Sequence, residues 1–161
     1  MSSTQEFIQL LLGLKGGEIS LLRRLAFAPL DKSVTGFDLF TGLWWPIRAK
    51  TPRAPRREAA WLVLKLYGFR PIKHTPGKTF SMLLARWRAE DPEKREPRAD
   101  FIMNRIITSP LDGLELPMRM AFARFSESDS IDWVALTDDL SFWEKQEIRT
   151  KWISDFFKDR R

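Results

Sequence analysis

Cysteine is absent from the 161 residues, which removes disulfides and thiolate metal sites. Histidine occurs once, at His74, so imidazole-based triads and multi-histidine metal centres fail too. A membrane span is missing as well. The stretch MSSTQEFIQLLLGLKGG has no basic n-region, and its apolar run is short and interrupted, so it is neither a signal peptide nor a span. The expected location is cytoplasmic. No segment alternates with period two between turn signals, so no strands are expected. No repeat or low-complexity tract is present. What remains is 43% hydrophobic and 12% aromatic, the composition of a folded chain rather than a disordered one.

Charge is unevenly spread. Residues 1–110 carry 19 basic and 10 acidic side chains, a net of +9, whereas residues 111–161 carry 8 and 11, a net of −3. Between 48 and 78, Arg48, Lys50, Arg53, Arg56, Arg57, Lys65, Arg70, Lys73 and Lys78 stand against Glu58 alone. Such an excess suits a polyanionic partner.

Apolar residues recur at helical spacing throughout. Ser3 and Glu6 fit a capping box for a helix with Phe7, Leu10, Leu11 and Leu14 inward, broken by Gly16-Gly17. GEISLLRRLAFA predicts a second helix burying Ile19, Leu22, Leu25 and Ala26, ended by Pro29. Thr35 with Asp38 caps a short helix carrying Phe37, Phe40, Leu43 and Trp44, which Trp45-Pro46 closes. IRAKTPRAPRR then reads as an exposed basic loop. Residues 56–67 are apolar nearly all round, as in a central bundle helix, with Gly68 as its C′ residue. Further helices are expected over 79–88, with Phe80, Leu83, Leu84 and Trp87 inward, and over 98–109, with Phe101, Ile102 and Ile106 inward and Met103 as a further candidate. Another over 113–125 buries Leu114, Met118, Ala121, Phe122 and Phe125, with Pro117 near its start.

The densest stretch is IDWVALTDDLSFWEKQEIRTKWISDFF, residues 131–157. Trp133, Leu136, Leu140 and Trp143 share one helical face, capped by Asp132. Ser141 and Glu144 predict a capping box for a last helix with Ile148, Trp152 and Phe156 inward. Tryptophans at this spacing serve as core anchors. The fold class is therefore all-α: a two-lobed helical bundle, with lobes 1–90 and 98–161 joined by the charged connection 90–97 and sharing one core.

Catalytic chemistry finds no foothold. Gly77-Lys78-Thr79 looks like the end of a phosphate-binding loop, but Ile72 stands where that motif needs glycine. Asp129, Asp132, Asp138 and Asp139 could form the magnesium cluster of a nuclease, but helix capping and a solvated face explain them more simply. No catalytic residue, metal or cofactor is expected. A free-standing helical DNA-binding regulator is the alternative reading, though no segment stands out as a recognition helix.

Several of these pieces, in this order, resemble the CasB family, the small subunit of the type I-E CRISPR surveillance complex (Cascade). They are Gly17-Glu18 with Leu22-Arg23-Arg24-Leu25, Pro55-Arg56 before the Trp61 helix, Phe80-Ser81 and Leu84, Arg98 through Arg105-Ile106-Ile107, and Met118-Arg119. Ile131-Asp132-Trp133, Asp139-Leu140, Trp143, Trp152 and Asp155-Phe156 complete the order. Leu116-Pro117-Met118 departs from the family pattern before Arg119, and 98–105 aligns loosely. The resemblance implies a non-enzymatic helical protein present as two copies beside the large and backbone subunits. It also implies contact with the guide RNA complex and the target DNA, chiefly the displaced single strand. The phosphate contacts expected on this basis are Arg24, Arg48, Arg53, Arg56, Arg57, Arg98, Arg105, Arg119 and Lys145.

Overall fold

A computed structural model describes residues 1–30, 34–53, 55–90 and 98–158. The Thr35 cap, the inward Phe37 and the 91–97 part of the connection lie outside what is described. Nine α-helices are present among the described residues: α1 Ser3–Leu12, α2 Gly16–Arg23, α3 Val34–Lys50, α4 Arg57–Phe69, α5 Phe80–Glu90, α6 Ala99–Ile107, α7 Glu115–Phe122, α8 Trp133–Ser141 and α9 Gln146–Phe157. The fold is all-α. Against the expectation of no strands, two-residue strands β1 (Lys73–His74) and β2 (Ser130–Ile131) pair in parallel, Lys73 with Ser130 and His74 with Ile131. A strand of two residues is too short to show any periodicity.

α4 is central, as its apolar circumference requires: Ala59 through Gly68 are all buried, and the helix packs against α2, α3, α7 and α8. Gly68 lies inside this helix rather than beyond its end, and Arg70 takes the C-cap. The glycine serves close approach: a Cβ there would sit 2.4 Å from the Leu22 Cβ on α2. Trp61, Trp133, Trp143 and Trp152 are buried. Each indole N–H finds an acceptor: the Ala28 carbonyl (3.0 Å), the Ile72 carbonyl (2.9 Å), the Ser109 carbonyl (2.9 Å) and the Asp139 carboxylate (2.8 Å), respectively. Burying an indole with its N–H satisfied keeps its large apolar contribution undiminished. Phe80, Phe122, Phe125, Trp133, Trp143 and Trp152 touch through rings 5.0–5.9 Å apart.

Several local expectations need correction. The α1 capping box is Ser2 with Gln5, not Ser3 with Glu6. Helix α1 buries Thr4, Phe7, Ile8 and Leu11 and leaves Leu10 exposed. Gly13 caps it, while Gly16 and Gly17 open α2, which stops at Arg23. Helix α3 runs on through Pro46 to Lys50. A proline inside a helix, through its missing hydrogen bond and the clash of its ring with the preceding turn, costs about 3 kcal/mol. Buried Ile47 on one side of the proline, and Trp44 on the other, donating its indole N–H to the Pro55 carbonyl at 2.7 Å, hold the helix together. Helix α6 turns Ile102, Met103 and Ile106 inward and leaves Phe101 exposed. The last helix begins after Lys145 without a side-chain cap. Ser141 instead ends α8, its hydroxyl donating to the Thr137 carbonyl at 2.8 Å, and Glu144 is taken by Arg56.

Candidate nucleic-acid interface

The basic segment splits when folded. Arg48 and Lys50 stand exposed on the last turn of α3, not in a loop, because the helix does not stop at Pro46. The remaining loop is anchored at several points along its backbone. The Ser3 hydroxyl, freed from capping, donates to the Arg53 carbonyl at 2.5 Å, and the Arg53 N–H donates to the Thr51 hydroxyl at 3.1 Å. The Arg56 N–H donates to the Ser141 hydroxyl at 3.2 Å. These bonds hold the backbone while the Arg53 side chain stays exposed. Arg57, half-buried, opens α4.

Arg56 is engaged on both sides. Its Nη1 contacts the Glu144 carboxylate and its Nε lies 3.4 Å from Glu58. The hydrogen bond from Arg56 lowers the Glu144 carboxyl below its ordinary range, and the same bond raises Arg56. Both partners remain open to water, so the pair is weak and exchangeable. Lys145 follows Glu144 and places its ammonium 4.8 Å from the Phe142 ring centre. Lys50, Arg53, Arg56 and Phe142 line one cleft of about 1160 Å³, together with the N-terminus of α1.

The other expected residues are dispersed. Arg24 is the exposed C-cap of α2. Arg98 is the exposed N-cap of α6, and Arg105, exposed on the last turn of that helix, lies 5.9 Å from the Phe101 ring. Arg119 on α7 is 16% exposed, 3.6 Å from Glu115, and stacked at 4.3 Å on Phe69 and 5.2 Å on Phe27. Lys65, counted in the basic excess, is buried among α4 and α7 and paired with Glu115. Burial holds its ammonium below the usual lysine value, opposed by Glu115. Phe142, the aromatic member of the cleft, is marked in the sequence only by standing next to Ser141, a capping candidate.

The four aspartates do not converge. Asp129 pairs with Arg86 at 3.5 Å, Asp132 caps α8 through the Ala135 N–H at 2.9 Å, Asp138 accepts from Thr4 at 2.5 Å, and Asp139 accepts from Trp152. No cluster of three or more metal-ligating side chains occurs among the described residues. The Gly77-Lys78-Thr79 turn is occupied by its own chain: the Gly77 N–H donates to Asp132 at 2.9 Å and the Lys78 carbonyl accepts from the Asp132 N–H at 2.6 Å.

Residues 18–157 match the family described as CRISPR-associated protein Cse2. The chain belongs to the Cse2 family. No curated protein matches the sequence significantly. Solved Cse2-like structures share its fold. CasB from Thermus thermophilus is 21% identical, with a TM-score of 0.73 over 98% of this chain and 99% of that one. CasB from M. ruber is 17% identical, with a TM-score of 0.74 over 98% and 94%. CasB from Thermobifida fusca is 18% identical, with a TM-score of 0.61 over 87% and 83%. Family membership makes this a CRISPR-associated chain; at these identities the structures speak for the fold. Among the described residues no helix is long and apolar enough to cross a membrane.

Proposed function

We propose that this Cse2 family chain is the non-catalytic small subunit of a type I-E RNA-guided Cascade complex, and that it stabilises the R-loop by holding the displaced DNA strand. Its partners would be the large and backbone subunits, a second copy of itself, the guide RNA and the target DNA. The observation that carries the reading is the cationic rim of the cleft: Lys50 and Arg53 exposed, with Arg48 exposed on the same last turn of α3 and the Arg53 loop backbone fixed by Ser3 and Ser141. A fixed backbone presenting mobile cations suits phosphates, which need charge and little orientation. Neutralising phosphates releases counterions and favours the bound strand. Exchange of a DNA duplex for an RNA–DNA heteroduplex is nearly balanced, so backbone contacts of this kind can tip it. The guide supplies sequence information, so the subunit has no need of base-reading side chains.

The test is the triple change Arg53→Glu, Arg56→Glu and Arg57→Glu in the assembled complex. The variant is expected to fold and co-purify, and to lose target binding, most at low salt where phosphate contacts count most, with the displaced strand more open to single-strand probes. An R-loop as long-lived as that of the native complex would overturn the assignment. For the isolated chain, contact with about four to five phosphates predicts a slope of roughly −3 to −4 in log K against log salt. A slope near zero would contradict it.

A further inference from the structure

We propose that Phe142 is a base-stacking platform in the cleft, taking one unpaired nucleobase of a strand whose phosphates lie along Lys50, Arg53 and Arg56. This rests on the reading of the cleft given above and adds to it a contact that is not electrostatic. Phe142 is 54% exposed, while Leu140 and Trp143 beside it are fully buried. It is the C-cap of α8, where the backbone leaves the helix, and that position asks for no aromatic. A single exposed apolar side chain is ordinary. This one is distinguished by its surroundings. Ser141, immediately before it, holds the Arg56 N–H, and Glu144, two residues on, holds the Arg56 guanidinium. The backbone that bears Arg56 is thus held beside the ring, and the Lys145 ammonium lies 4.8 Å from the ring.

The chemistry selects a single strand. Every base has a π-face, so stacking on a phenylalanine tolerates any sequence. In a duplex both faces of each base are covered by neighbouring pairs, and the platform has nothing to take. Glu6 and Asp138, the latter one turn before Phe142 on α8, also line the cleft; their carboxylates repel phosphates, so a strand running along Lys50 and Arg53 would bring a base rather than its backbone toward Phe142.

The test uses the full chain and labelled strands in fluorescence anisotropy: oligo-dT, an abasic phosphodiester of equal length, and duplex. The native chain is expected to prefer oligo-dT over both. Phe142→Ala should weaken oligo-dT binding about 5- to 150-fold, leaving abasic binding and the salt slope unchanged. Phe142→Trp should retain the preference, and Phe142→Leu, apolar but without a π-face, should not. Equal binding of oligo-dT and abasic strand, or a Phe142→Ala chain that binds oligo-dT normally, overturns the platform while leaving the phosphate reading standing. Absence of any salt-dependent binding overturns both. Loss of Phe142→Ala from the assembled complex with normal strand binding would make the ring a protein contact instead.

Discussion

Lys65–Glu115 and Arg56–Glu144 are both direct contacts between segments far apart in sequence, but one is shut inside the bundle and the other stands in water. The side chains of the first are 6% and 12% exposed, those of the second 39% and 62%. Around the buried pair every group has a role. Lys65 also donates to the Ala28 carbonyl at 3.0 Å, and Glu115 also accepts the Phe27 N–H at 2.7 Å and lies 3.6 Å from Arg119. This network ties the chain after α2 to α4 and α7. It also holds Phe27 at φ 60, an unusual value for a residue with a side chain. A buried pair contributes little against an apolar equivalent, yet breaking it is expensive because a charge is stranded. The exposed pair is worth about 0–1 kcal/mol. Positive charge in one segment of sequence is therefore of two kinds: Lys65 is committed to the fold, and Arg56 is available to exchange a carboxylate for a phosphate.

The largest expected effect is Glu115→Ala, which strands the Lys65 ammonium and the Phe27 N–H. It should cost about 3–5 kcal/mol in urea denaturation, and a loss under 1 kcal/mol would make the buried pair no different from the exposed one. Next is Gly68→Ala, whose new Cβ must push Leu22 away and with it the chain leading to Phe27 and Ala28. Overpacking of this kind costs about 1–3 kcal/mol. A double variant with Glu115→Ala should lose less than the two separate costs combined, because the short stretch from Leu22 to Phe27 touches both sites.

Asp139→Asn refines the comparison with a third carboxylate. Burial raises the Asp139 carboxyl above its ordinary 3.8, opposed by the Trp152 hydrogen bond and by Lys151. The folded state thus holds this proton more firmly than the unfolded state, and stability falls as pH rises through the window above 3.8. The amide still accepts from Trp152 without that cost. The variant should be at least as stable as the native chain at pH 7, and the difference should shrink below about pH 3.8. Thermal melts across pH would check it, and a variant clearly less stable at pH 7 would contradict it. The smallest effect is Glu144→Gln, expected to change stability by about 1 kcal/mol or less while tightening single-strand binding a few-fold by releasing Arg56. Weaker binding would mean that Glu144 positions Arg56 for its ligand.

What sequence could show of this molecule was set by burial. The Trp133, Leu136, Leu140 and Trp143 face was legible because its spacing alone fixes which side is inside, and the central place of α4 because it is apolar nearly all round. Pro46 misled because a local penalty was outweighed by Ile47 and the Trp44–Pro55 bond, which depend on tertiary contact. Gly68 reads as a helix end, whereas its reason for being glycine is Leu22, 46 positions earlier. At the candidate site the exposed Arg53 was legible from charge and proline. The burial of Lys65, the stacking of Arg119 between two phenylalanines and the company of Phe142 were not, since each is decided by residues from another part of the chain.

The contact between α1 and α8 carries a consequence for synthesis. Thr4 meets Asp138, a partner 134 residues later. At about 5–20 residues per second, a ribosome needs roughly 7 to 27 s to make that stretch. Phe7, Ile8 and Leu11 have α3 to lean on early, but their cover from α8 emerges only after that interval. A growing chain of this protein thus carries an unfinished apolar surface throughout that interval, and holding chaperones should matter to its yield.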